Sequence, residues 1–126
     1  MTANLFKGVG QVGIVSGDAP KLIAFYRDVL GFPVLFEANG MTFLQAGATR
    51  LMIGAGDGSL GAAKDVVLYF EPEDWRAAEA KLEAAGVKFE HEAVVVQREQ
   101  GREHALRPFR DPEGRPVYLL GWRAAN

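Results

Sequence analysis

The sequence predicts an α+β fold of two repeated β-α-β-β-β modules that pair to form a curved mixed sheet around a cavity, with helices on the outer face. Three observations predict it. Two amphipathic segments each follow a short β-branched run, and each stops at a glycine, Gly31 and Gly86, 55 residues apart. The same offset carries Val15 onto Phe70 at the ends of the two leading runs. Each amphipathic segment is then followed by three strand-like stretches. A four-stranded sheet with one helix on its back has a bare second face. Two such units must therefore pair, in one chain or across two, and the space between them becomes a cavity.

Residues 10–15 are small and β-branched, as in a buried strand, and lead into Ser16-Gly17-Asp18-Ala19-Pro20. Asp18 can cap the free N–H groups of a first helical turn, where Pro20 loses nothing by lacking its own. Leu22, Phe25, Tyr26, Val29 and Leu30 recur at intervals of three and four, and Gly31 can take the left-handed conformation that ends a helix. Strands follow at 32–38, 41–46 and 50–54. Asn39-Gly40 between the first two is the strongest two-residue hairpin signal, and Gly47-Ala48 makes the next turn.

Residues 54–61 are glycine-rich, without periodicity, and read as a mobile linker. The second half then repeats the first. A strand is expected at 65–70 and a helix at 72–85, with Trp75, Ala78, Leu82 and Ala85 on one face and Glu73 and Asp74 in its first turn. Further strands are expected at 87–91, 104–110 and 115–120. The polar stretch 96–103 reads as an extended loop or hairpin tip. Asp111-Pro112-Glu113-Gly114 suits a type I turn, with Asp, Pro and Gly in the first, second and fourth places. The whole is one domain over 1–126, with module 1 at about 8–54, the linker at 55–64 and module 2 at about 65–122.

The chain has 126 residues, 48% apolar and 24% charged, the composition of a globular domain. Its net charge of −2 offers no bulk attraction to nucleic acid or anionic lipid, so neither is an expected partner. Without cysteine, disulfides, thiolate metal centres and thiol nucleophiles are excluded. No signal-peptide pattern opens the chain, and no run approaches the roughly 20 apolar residues of a membrane span, so a cytoplasmic location is expected.

Three strings in this order carry a resemblance. They are Gln11-Val12-Gly13-Ile14-Val15 with Asp18 and Phe25-Tyr26-Arg27-Asp28-Val29-Leu30-Gly31-Phe32; Ala84-Ala85-Gly86-Val87; and Phe109-Arg110-Asp111-Pro112-Glu113-Gly114. Together they resemble the vicinal oxygen chelate superfamily, which contains glyoxalase I, extradiol dioxygenases, fosfomycin-resistance enzymes and bleomycin-resistance proteins. In metal-dependent members four cavity-facing strand positions carry His, Glu or Gln and hold a divalent ion. The resemblance places those positions on Gln11, Met52, Asp65 and Tyr118. Gln and Asp can ligate through oxygen, whereas a thioether and a phenol are poor ligands for such an ion. The chain's two histidines, His91 and His104, lie off the matched positions. The resemblance thus implies a member with no metal or other cofactor, of the kind that binds a ligand as a homodimer.

Strand alternation gives an independent reading of these positions. If Gln11, Met52, Asp65 and Tyr118 face the cavity, so do Gly13, Val15, Arg50, Gly54, Val67, Tyr69 and Leu120. The complementary set, including Val12, Ile14, Leu51, Ile53, Val66, Leu68, Phe70, Val117 and Leu119, is uniformly apolar, as the face beneath the helices should be. The expected ligand-binding residues are Gln11, Arg50, Met52, Asp65, Tyr69, His104, Arg107 and Tyr118. Each has a plainer alternative: core filling between modules, a solvated rim for Asp65, and a solvent-exposed hairpin for His104 and Arg107. Trp75 reads as an anchor against the sheet. Trp122 fits either a pocket mouth or a dimer interface. The expected function is to hold a small, partly aromatic organic molecule. Two alternatives stay open: a metal-dependent lyase, isomerase or dioxygenase acting on a substrate with two adjacent oxygens, and a metal-free acid/base isomerase.

Overall fold

The computed structural model describes residues 9–55 and 66–125. The chain divides into two units, Met1–Ala63 and Lys64–Asn126. The first contains β1 (Gln11–Val15), α1 (Ala19–Ala24), β2 (Val34–Ala38), β3 (Met41–Ala46) and β4 (Thr49–Gly54). The second contains β5 (Leu68–Phe70), α2 (Trp75–Ala84), β6 (Val94–Glu99), β7 (Arg102–Arg110) and β8 (Pro116–Ala124). Each is a β-α-β-β-β module. Its four strands run in the order first, fourth, third, second, with the first and fourth parallel and the others antiparallel. This is the α+β repeat the sequence predicts. The expected linker falls, apart from Ala55, on residues outside those described, as does Asp65.

In the first unit, the Asp18 carboxylate accepts from the Lys21 amide at 3.2 Å and Pro20 lies in the opening turn of α1. The helix then widens into a π-helical turn at Phe25–Val29, closed by the Leu30 amide donating to the Phe25 carbonyl at 3.1 Å. The sequence spacing predicts one continuous helix and does not distinguish this widening. Gly31 follows with φ of 85°. Leu22 and Tyr26 are buried beneath it, as are Ile14, Leu44, Leu51 and Ile53 on one face of the sheet. Asn39 and Gly40 both have positive φ, 54° and 77°, as a type I′ hairpin requires.

Three expectations for the second unit need correction. Neither Glu73 nor Asp74 is in the first turn of α2, which begins at Trp75; Asp74 caps it, its carboxylate accepting from the Ala77 amide at 3.0 Å. Residues 87–91 form no strand. The module's second strand is instead Val94–Glu99, which pairs with β7 through a turn at Gln100 and Gly101, both with positive φ. Of the two alternatives for 96–103, the stretch is thus the hairpin tip, with residues 96–99 in the exposed edge strand β6 and the turn at Gln100 and Gly101. Val66 and Val67 precede β5 and are both exposed, because only Leu68–Phe70 pairs with β8.

Trp75 and Leu82 of α2 bury their side chains, as do Ala105, Phe109, Val117 and Leu119 of the sheet. The Asp111 turn forms as predicted. The Gly114 amide donates to the Asp111 carbonyl at 2.9 Å, and the buried Asp111 carboxylate accepts from the amides of Glu113 and Arg115.

Candidate functional site

Strand register fixes which side chains share a face. In the first sheet, Gln11, Arg50 and Gln45 lie in one cross-strand row, and Gly13, Met52, Phe43 and Phe36 lie in the next. Both rows are on the face away from α1, since the intervening residues Ile14, Leu51, Ile53 and Leu44 are the buried ones. A polar row of amide, guanidinium and amide therefore runs beside an apolar row. Phe36 and Phe43 stack at 4.5 Å between ring centroids, 16° from parallel. The Gln11 amide nitrogen donates to the Met52 sulfur at 3.5 Å, a weak acceptor.

In the second sheet the helix-free face carries Tyr69, Tyr118 and Pro108 in one row, and Trp122, His104 and Gln97 in another. Tyr69 and Tyr118 stack at 4.7 Å, and Tyr69 is 52% exposed. His104 lies against Trp122 at 4.9 Å, and the Arg102 guanidinium covers the same indole at 4.1 Å. Each module thus presents a stacked aromatic pair on the side its helix leaves free.

Among the eight expected residues, Gln11, Arg50 and Met52 lie together on the first sheet, and Tyr69, Tyr118 and His104 share a face of the second. Asp65 lies outside the described residues. Arg107 is on the opposite face from His104, as three residues of separation along a strand demand. Its guanidinium donates to the Glu79 carboxylate of α2 at 2.6 Å and lies 4.1 Å from the Phe89 ring. Arg107 is neither with the other candidates nor on a solvent-exposed hairpin; its side chain is 14% exposed.

The expected set omits Phe36 and Phe43. A signal for them was present. A two-residue turn at Asn39-Gly40 pairs residue 38 with 41 and hence 36 with 43, so the hairpin signal already placed the two rings side by side.

Known proteins give the following comparisons. The model of the Glyoxalase/Bleomycin resistance protein/Dioxygenase superfamily matches residues 8–117. The chain belongs to this superfamily. A search of curated proteins returns no match. Among solved structures, the chain is similar to an integron cassette protein from the mobile metagenome of V. cholerae, with a TM-score of 0.76, 21% identity, and coverage of 94% of this chain and 98% of that one. It is similar to lactoylglutathione lyase from Agrobacterium tumefaciens, with a TM-score of 0.71, 20% identity and coverage of 93% and 95%. It is also similar to TnmS3, an antibiotic binding protein from Streptomyces sp. CB03234, with a TM-score of 0.73, 19% identity and coverage of 94% and 98%. At these identities the likeness is one of fold.

The superfamily includes metal-dependent members, so the donor chemistry of the matched positions matters. The described donors there are the Gln11 amide, the Met52 thioether and the Tyr118 phenol, the last with its ring stacked on Tyr69. A thioether and a phenol are poor ligands for a hard or borderline divalent ion, which takes carboxylate, imidazole or several oxygen ligands. Among the described residues, no three His, Asp or Glu side chains come together as a metal cluster. Among the same residues, no helix is long and apolar enough to cross a membrane.

Proposed function

We propose that the chain is a small-molecule-binding member of the superfamily that works without a metal and holds a partly aromatic organic ligand against its helix-free sheet faces. The observation that carries this reading is the pair of exposed aromatic stacks, Phe36 on Phe43 and Tyr69 on Tyr118. Aromatic pairs attract a further ring by offset or edge contact, worth about 0.5–1.5 kcal/mol beyond the area buried. Polar groups accompany each stack: Gln11 and Arg50 in the adjacent row of the first sheet, and the tyrosine hydroxyls themselves in the second, where His104 lies further along the same face beyond Leu106 and Leu120. These would fix a ligand's orientation, and Asp65 is assigned to the same set. One of the structural neighbours is named as an antibiotic binding protein, which accords with a holding role.

The same proposal includes a homodimer in the cytoplasm. The edge strand β2 leaves Val34, Leu35 and Phe36 between 38% and 45% exposed, an apolar rim suited to a second chain.

The test is a titration with a panel of bicyclic aromatic compounds in the presence of EDTA, followed by tryptophan fluorescence. Trp122 lies on the proposed face, while Trp75 is buried under the sheet. Saturable quenching that disappears in Trp122→Phe and weakens in Tyr69→Ala is the expected result. Flat titrations across the panel, with no heat of binding by calorimetry, would remove the proposal. Binding that needs an added metal would remove its metal-free part.

A further inference from the structure

Arg50 differs from every other described arginine. Each of the others has a carboxylate oxygen within 4.0 Å. Arg50 has none among the described residues, although acidic side chains outnumber basic ones in the chain, 16 to 14. Its guanidinium lies 5.6 Å from the Phe43 ring and 6.0 Å from the Phe36 ring, the outer range of a cation–π contact. It is half-buried, so water covers it only in part.

The neighbours of Arg50 are chemically suited to an acid. Directly opposite it in register are Gln11 and Gln45, neutral amides that add donors without neutralising its charge. The Gln45 amide donates to the Gly47 carbonyl. Among the described residues the Gln11 amide nitrogen donates to the Met52 sulfur alone, a partner readily exchanged for a stronger acceptor. One row further along the sheet the surface becomes apolar, with Met52, Phe43 and Phe36 in sequence. Adjacent strands lie about 4.8 Å apart, so this row is wide enough to take a bicyclic ring system beside the guanidinium.

We infer that Arg50 is an anion receptor and that the ligand of the first module is an aromatic carboxylic acid. Its carboxylate takes the Arg50 fork with Gln11 as a flanking donor, and its ring lies on the Met52, Phe43 and Phe36 row. A guanidinium presents N–H groups in a fork that matches a carboxylate with two parallel hydrogen bonds, a recognition that a neutral analogue cannot reproduce. The inference rests on the proposal that the chain binds a small aromatic molecule, and it adds the charge of that molecule and the residue that reads it.

Three probes of one shape test it: 2-naphthoate, 2-naphthamide and 2-naphthylmethylammonium, each titrated by calorimetry into wild-type protein, Arg50→Gln and Arg50→Lys. The expected order of affinity in the wild type is acid, then amide, then ammonium. Arg50→Gln should weaken naphthoate roughly 10- to 100-fold, the range for a charge-assisted hydrogen bond, and leave naphthamide within about twofold. Arg50→Lys should recover part of the loss. In ¹⁵N NMR of the wild type, the Arg50 Nε resonance should move with naphthoate and stay with naphthamide, a readout that holds even if a variant folds poorly. Equal affinity for all three probes, equal weakening of acid and amide in Arg50→Gln, or an unmoved Nε resonance would overturn the anion assignment while leaving small-molecule binding in place. If none of the probes binds, the small-molecule proposal fails and this inference fails with it.

Discussion

Arg107 of β7 and Glu79 of α2 form an ion pair at 2.6 Å with side chains 14% and 12% exposed, joining the helix to its sheet. The Arg107 guanidinium also donates to the His91 carbonyl at 3.1 Å and covers the Phe89 ring. One side chain thus holds α2, β7 and the non-strand segment around 89–91 in place. Removing Arg107 leaves the Glu79 carboxylate with Arg76 at 3.4 Å, and removing the Glu79 charge leaves Arg107 with Glu92 at 3.6 Å and Glu83 at 4.0 Å, so each loss is partly compensated by the more exposed neighbours.

Arg107→Met and Glu79→Gln are therefore each expected to lower stability, by less than the roughly 3 kcal/mol that follows when a buried charge is left with no partner. Chemical denaturation measures it. Because the pair lies on the helix side of the sheet, affinity for an aromatic ligand should change little in either variant that remains folded. A loss of binding without a loss of stability in Arg107→Met would place Arg107 back among the ligand contacts.

Gly86 has φ of 87°, and a Cβ there would meet no atom within 4 Å. The cost of Gly86→Ala is then purely one of backbone conformation, about 1 kcal/mol, and Gly86→Asn should cost less because Asn visits the left-handed region more easily. Equal melting temperatures for wild type and Gly86→Ala would contradict this.

Gly13 sits at the end of the apolar row, beside Met52, and a Cβ there would touch the Met52 methyl at an ordinary 3.5 Å. Gly13→Leu should therefore fold, and the larger side chain should occupy part of the surface assigned to the ligand ring. A roughly tenfold weaker affinity for 2-naphthoate, with native stability, is expected from a loss of about 1.4 kcal/mol of ring contact. Unchanged affinity in this variant would move the ring off the row.

Asp28 is held below the ordinary carboxylate value by its hydrogen bonds from Arg27, at 2.7 and 2.9 Å, with the Arg27 charge adding to the effect. A depressed folded value means that any contribution to stability is complete above the unfolded carboxylate value. It is lost as pH falls through the lower folded value. Exposure of both side chains to solvent keeps that contribution small. An NMR titration should show Asp28 protonating at lower pH than a free aspartate, and Arg27→Gln should raise that midpoint; a midpoint indifferent to Arg27 would contradict the assignment.

Local chemistry made most of the fold legible. Gly31 and Gly86, Asn39-Gly40, Asp18 and the Asp111 turn each prescribe a backbone conformation through residues a few positions apart, and each forms as prescribed. Alternation also separated the buried face from the other because Ile14, Leu51, Ile53, Val117 and Leu119 sit over a helix. It failed at Val94–Glu99, where nearly every residue is exposed and no period-two contrast exists to read. The π-helical turn at Phe25–Val29 keeps the same apolar residues inward as an α-helix, so spacing cannot reveal it. Arg107 was beyond local reading, since its carboxylate lies 28 residues away on another element.

Each sheet draws all four of its strands from one half of the chain, and within each half the first strand completes the ladder by pairing with the fourth. A cut between the halves would consequently open no strand ladder. Each half, made separately, would therefore carry a complete four-stranded sheet of its own, and the two pieces are candidates for independent expression.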